Sequence, residues 1–96
     1  MIESFANSLA EDLFHDRRSK TVRQLPGTLV AAARRKFLYL HDAEGLDDLR
    51  AVPGNRLKAL QGKLKGFYSM RINDQWRVVF RWKSGRASDV AVLDYH

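Results

Sequence analysis

The sequence predicts an α+β fold, with N-terminal helices packed on one face of a twisted antiparallel β-sheet. Three observations lead there. Apolar residues recur at helical spacing in the first half, at Leu9, Leu13 and Phe14 and again at Leu29, Val30, Ala33, Phe37 and Leu40. After Gly54 the period changes to two. The strand-length runs that follow are separated by turn residues with no helix between them, so they pair as hairpins. A chain of 96 residues forms one domain, 1–96, with a core large enough to fold without staples.

The elements follow in order. Residues 1–5 alternate weakly and make a candidate first strand. Ser8-Leu9-Ala10-Glu11 has the pattern of a capping box, opening a short helix with Leu9, Leu13 and Phe14 on one face. The polar stretch 15–20 reads as a connection. Pro26-Gly27 breaks the chain and Thr28 is placed to cap the next helix, which carries Arg34, Arg35 and Lys36 mostly on its outward side. That helix should end between His41 and Gly45, and residues 46–49 add one turn before Pro53-Gly54.

In the second half, residues 67–72 alternate, with Tyr68, Met70 and Ile72 on one face and Phe67, Ser69 and Arg71 on the other. Asn73-Asp74-Gln75 supplies a turn. Trp76, Val78, Phe80 and Trp82 then form the clearest apolar stripe in the chain, opposite Arg77, Val79, Arg81 and Lys83. Ser84-Gly85 turns the chain into a last strand over 87–93. Setting Ile72 against Trp76 brings Arg71 directly opposite Arg77. Like charges so placed cost several tenths of a kcal/mol, a sign that a bound anion reverses. Setting Phe80 against Val90 puts Arg81 opposite Asp89 and Asp94 beside Trp76, carrying Tyr95 and His96 toward the two arginines.

Charge narrows the function. Residues 1–49 hold seven Lys/Arg against eight Asp/Glu, whereas residues 50–96 hold ten against three. A basic half points to an anionic partner. The absence of cysteine excludes disulfides and thiolate metal ligands and suits a reducing compartment. The N-terminus lacks a basic region followed by an apolar stretch, and no run approaches a membrane span, so a cytoplasmic protein is expected. His15, His41 and His96 are too dispersed to suggest a metal site, and no glycine-rich phosphate loop is present, so no cofactor is expected.

The last three residues, Asp94-Tyr95-His96, add groups that can move protons. Metal-free RNA cleavage requires a deprotonated ribose 2′-hydroxyl, a protonated 5′-oxygen and stabilised charge on phosphorus. His96 titrates in the required range and is the candidate general acid or base. Asp94 would orient it or act as the partner base. Arg71 and Arg77 would stabilise the phosphorane, and Tyr95 would stack on a base or bond the phosphate. Arg56, Lys58, Lys63, Lys65 and Arg81 are the candidate cations for binding the polyanion.

Gly54-Asn55-Arg56-Leu57, the run from Lys65 to Phe80 and the closing Asp94-Tyr95-His96 resemble the HigB branch of the RelE/ParE toxins across nearly the whole chain. That resemblance implies a bacterial toxin of a type II toxin–antitoxin system that cleaves messenger RNA on the translating ribosome, with Arg56, Lys58, Lys63, Lys65 and Arg81 as its RNA- and ribosome-binding cations. Its implied partner is a HigA-like antitoxin carrying a helix-turn-helix domain, through which alone the pair reaches operator DNA. Arg77, Asp94, Tyr95 and His96 stand where the family pattern places them. The His and Lys that other ribonuclease members carry before the basic loop are replaced here by Lys58 and Gln61, with Lys63 and Lys65 close by to supply charge. Two other readings stand beside this one. A ParE-like toxin would inhibit DNA gyrase without catalysis, although such chains typically lack the terminal trio. A plain RNA-binding module would need only the basic surface.

Overall fold

A computed structural model of the chain describes residues 1–95. Four helices precede a four-stranded antiparallel sheet in the order β1-β2-β3-β4. The helices are α1 (Ser8–Phe14), α2 (Lys20–Arg23), α3 (Gly27–Asp42) and α4 (Leu46–Arg50). The strands are β1 (Lys58–Ala59), β2 (Phe67–Arg71), β3 (Trp76–Lys83) and β4 (Arg86–Asp94), with a 3-10 turn at Gly62–Leu64.

The core lies between the helices and one sheet face. Leu13 of α1, Leu29, Phe37 and Leu40 of α3 and Leu49 of α4 meet Met70, Val78, Phe80, Val90 and Val92 from the sheet, all buried. Trp76 and Trp82 pack against this cluster from the two ends of the apolar stripe, as the alternation predicts. The opposite sheet face carries Phe67, Ser69, Arg71, Arg77, Val79 and Arg81, and among the described residues no helix packs into a core there.

The first hairpin has the expected register, with Arg71 opposite Arg77 and the Ile72 amide donating to the Trp76 carbonyl at 2.9 Å. The second has Trp76 opposite Asp94, also as expected. It departs in the middle, where a bulge between Val79 and Arg81 makes Ser88 the residue opposite Arg81. Asp89 occupies the bulge at φ +50, and Arg81 Nε still reaches its carboxylate at 3.3 Å. The extra residue shifts the alternation of β4 so that Ala87 and Val90 both reach the core.

Other details differ from the sequence reading. Residues 1–5 are not a regular strand; they run parallel to β4 through isolated bridges, Ile2 to Ala87 and Phe5 to Val90, on either side of the bulge. The cap of α1 is Asn7 rather than Ser8. Its Oδ1 accepts from the Ala10 amide at 3.0 Å while its Nδ2 donates to the Val92 carbonyl at 3.0 Å. An amide both accepts and donates, so it ties the helix to β4 as a capping hydroxyl facing only the helix does not. Helix α3 starts at Gly27 behind Pro26 with no side-chain cap, placing Thr28 inside the helix. The polar connection contains α2, whose Ser19 Oγ accepts from the Val22 amide at 3.3 Å. Lys36 does not face outward: it is buried among the core residues of α3. No helix among the described residues is long and apolar enough to cross a membrane.

Candidate active site

Adjacent strands bring two arginines together on the open face of the sheet. Arg71 ends β2, Arg77 is the second residue of β3, and the short connection of residues 72–75 places them opposite each other. Asn73 shapes that turn: its Oδ1 accepts from the amides of Gln75 at 2.9 Å and Trp76 at 2.8 Å.

The Arg77 guanidinium is held on two sides. Nε donates to Ser69 Oγ at 3.0 Å, and one amino nitrogen donates to the Arg56 carbonyl at 2.9 Å. The Tyr95 ring lies 5.9 Å from the guanidinium carbon, within cation–π range. Burial lowers the Arg77 pKa below the ordinary arginine value; the Tyr95 phenol opposes that shift, and the nearby Arg71 and Arg56 cations add to it. Arginine stays charged through such a shift. The neighbours therefore create a concentrated positive potential without neutralising the group.

Arg71 is ion-paired with Asp74, three residues on, which offsets its repulsion from Arg77. The Asp74 side chain is 98% exposed, so this pair is worth at most about 1 kcal/mol, and an incoming phosphate can displace it.

The other sequence-predicted residues fall into two groups. Tyr95 joins the arginines, and Arg56 does so through its carbonyl. Lys58 pairs with Ser69 across β1 and β2, so it shares the open face with β2 between it and Arg77. Arg81 also lies on that face, 4.3 Å from the Phe67 ring centroid, but toward the other end of β2. Lys63 and Lys65 are exposed in and after the 3-10 turn that leads to Phe67. Four residue steps of β2, roughly 13 Å, separate Phe67 from Arg71, so these lysines extend the cationic surface and do not join the arginine pair. Gln61 is exposed at the start of the same turn.

Asp94 is not gathered with the arginines. It stands opposite Trp76, on the core-side parity of the strands, and accepts from Gln75 Nε2 at 3.0 Å. His96 lies outside the described residues. Among the described residues no three His, Asp or Glu side chains converge as a metal site requires.

Sequence reasoning missed Ser69, Gln75 and Asn55. Ser69 was discoverable in principle: it is a small polar residue on the arginine face, diagonal to Arg77 in the register the turn dictates. Asn55 stands in the Gly54-Asn55-Arg56-Leu57 motif, but its burial against Lys36, nineteen residues away, had no local signal.

Comparison with known proteins agrees with this layout. Residues 3–96 match the model of a family described as the RelE-like toxin of the type II toxin–antitoxin system HigB. The chain is 38% identical over 96 residues to Toxin HigB-1 of Vibrio cholerae serotype O1, covering 100% of this chain and 98% of that one. The YoeB–YefM complex from Staphylococcus aureus contains a similarly folded chain, with a TM-score of 0.64 at 21% identity, covering 100% of this chain and 98% of that one. YafQ from E. coli strain BL21(DE3) superposes with a TM-score of 0.59 at 14% identity, covering 99% of this chain and 92% of that one.

Proposed function

The chain belongs to the HigB-like family of RelE-like toxins of type II toxin–antitoxin systems, and on that premise we propose that it is a ribosome-dependent endoribonuclease. The observation that carries this reading is the Arg71–Arg77 pair on the open sheet face, with Tyr95 against Arg77. A nuclease needs fixed cations where negative charge develops on phosphorus, and Arg77 is already anchored by Ser69 and Arg56 before substrate arrives.

The chemistry runs as an in-line transfer. A general base removes the 2′-hydroxyl proton, the 2′-oxygen bonds to phosphorus, and the bond from phosphorus to the 5′-oxygen breaks as a general acid protonates the leaving oxygen. The products are a 2′,3′-cyclic phosphate and a 5′-hydroxyl. Arg77 and Arg71 bind the phosphate oxygens, with Asp74 released from Arg71. Tyr95 stacks on a base beside the scissile bond. His96 supplies the proton transfer. Asp94, bonded to Gln75 at the end of β4, orients His96, the first of the two roles the sequence suggests for it. Lys58, Arg81, Lys63 and Lys65 continue the basic track along the RNA or the ribosome.

As a type II toxin the chain acts with an antitoxin. In this reading that partner is a HigA-like helix-turn-helix protein, and both work in the bacterial cytoplasm. The solved YoeB–YefM complex supports pairing of this fold with an antitoxin.

Expression in a bacterium followed by mapping of RNA ends tests the proposal. The expected result is growth arrest with cuts inside translated messages, lost on Arg77→Ala. Intact messages with DNA-damage induction would favour gyrase inhibition instead.

A further inference from the structure

We propose that the buried pair Lys36–Asn55 is a positioning device for the two arginines. It fixes the backbone at residues 55–56, whose consecutive carbonyls hold Arg71 and Arg77.

Asn55 is fully buried and bonds in four directions. Its Oδ1 accepts from Lys36 Nζ of α3 at 2.6 Å, and its Nδ2 donates to the Leu49 carbonyl of α4 at 2.9 Å. Its own amide donates to the Val52 carbonyl at 3.3 Å, and its carbonyl accepts from the Arg71 amide at 2.6 Å. The next carbonyl along, that of Arg56, accepts from the Arg77 guanidinium. The Asn55 side chain thus ties this segment to the third and fourth helices, and the carbonyls of residues 55 and 56 tie it to both arginine-bearing strands.

Two local costs accompany this arrangement. Lys36 is 6% exposed, and its hydrogen-bond partner is a neutral amide, not a carboxylate. Loss of hydration lowers its pKa, and the neighbouring Arg35 and Arg71 cations lower it further. Buried ammonium groups without a counter-ion are unfavourable, and an apolar side chain would fill the site more cheaply. Arg56 sits at φ +46, a left-handed conformation that a non-glycine residue holds only when its surroundings enforce it. Both features are explained if the position of the Arg56 carbonyl is what the pair secures. Without Lys36, Asn55 Oδ1 loses its donor, residues 55–56 can relax, and Arg77 keeps only Ser69 as a side-chain anchor.

The catalytic consequence rests on the ribonuclease reading; the positional one does not, so two readouts separate them. The first is the Nε–H resonance of Arg77 in nitrogen-15-labelled protein. It should shift or broaden in Lys36→Met and in Asn55→Ala, and remain in place in Val30→Ala, a helix variant remote from the arginines. The second is single-turnover cleavage of a message on translating ribosomes. Lys36→Met should slow the chemical step about 10- to 100-fold, the range expected when a catalytic group is misplaced by about an ångström. Ribosome affinity should change by less than about twofold, and in an Arg77→Ala background Lys36→Met should cost clearly less than in the wild type, because only the placement of Arg71 is then left to lose. Lys36→Met keeps the volume of the side chain and serves where Asn55→Ala folds poorly. An unmoved Arg77 resonance in both variants, or a loss fully additive with Arg77→Ala, overturns the proposal. If the wild-type chain cuts no message while the resonance still moves, the ribonuclease reading fails and the positioning role stands.

Discussion

Arg77→Lys separates charge from geometry at the candidate site. The substitution keeps one positive charge but replaces a planar fork with a single ammonium on a flexible stem. In the wild type, Nε is committed to Ser69 at 3.0 Å and one amino group to the Arg56 carbonyl at 2.9 Å, leaving the other amino group for a phosphate oxygen. A lysine that reaches the phosphate must give up at least one anchor. A hydrogen bond from a charged donor contributes about 1.5–3 kcal/mol, and the partial exposure of Arg77 argues for the lower figure. Loss of one or both anchors in the transition state then raises the barrier by about 1.5–3 kcal/mol, or roughly 10- to 100-fold in rate. Stability should fall by only about 1 kcal/mol, moving Tm by about 4–8 °C for a domain of this size. Single-turnover cleavage on translating ribosomes, beside thermal unfolding, measures both. Cleavage by Arg77→Lys within about twofold of wild type would refute the reasoning, because charge alone would then suffice.

Three further predictions concern the scaffold. Asn7→Ala removes the α1 cap and the bonds to Val92, costing about 2–3 kcal/mol in denaturant unfolding; a loss below about 0.5 kcal/mol would mean that the amide does not couple helix and sheet. Asp89→Gly should be close to neutral in Tm, since glycine accepts the φ of +50, whereas Asp89→Val should destabilise by about 1–2 kcal/mol. For Lys36, the folded-state pKa lies below the unfolded value of 10.5, so the unfolded chain binds the extra proton between the two. Wild-type stability should therefore rise relative to Lys36→Met as pH approaches 10.5 from below, and a difference independent of pH would contradict the burial of that ammonium.

Much of this arrangement was legible in the sequence, and the reasons are physical. The stripe Trp76, Val78, Phe80 and Trp82 has a period only a strand can satisfy, and the turn at 73–75 leaves one sensible register, so Arg71 opposite Arg77 followed directly. The bulge was hidden because Asp89, not glycine, takes the left-handed conformation, held by its pairing with Arg81 and by the Ser4 hydroxyl on its amide. Helix α2 has four residues, too few to show a period. Lys36 looked like an outward lysine because its burial depends on Asn55, nineteen residues away. Asp94 was expected beside Trp76, with Tyr95 and His96 carried on toward the arginines. That pairing is what the structure has, and strand parity places Asp94 on the Trp76 side of the sheet.

In the function proposed above, this chain cuts RNA with its own side chains at the arginine pair. The most direct test is the chemistry of the ends produced when the purified protein is added to translating ribosomes. The expected ends are a 2′,3′-cyclic phosphate and a 5′-hydroxyl within the translated frame, both abolished by Arg77→Ala and strongly reduced by His96→Ala. Uncut messages, or cleavage that persists unchanged in Arg77→Ala, would contradict it.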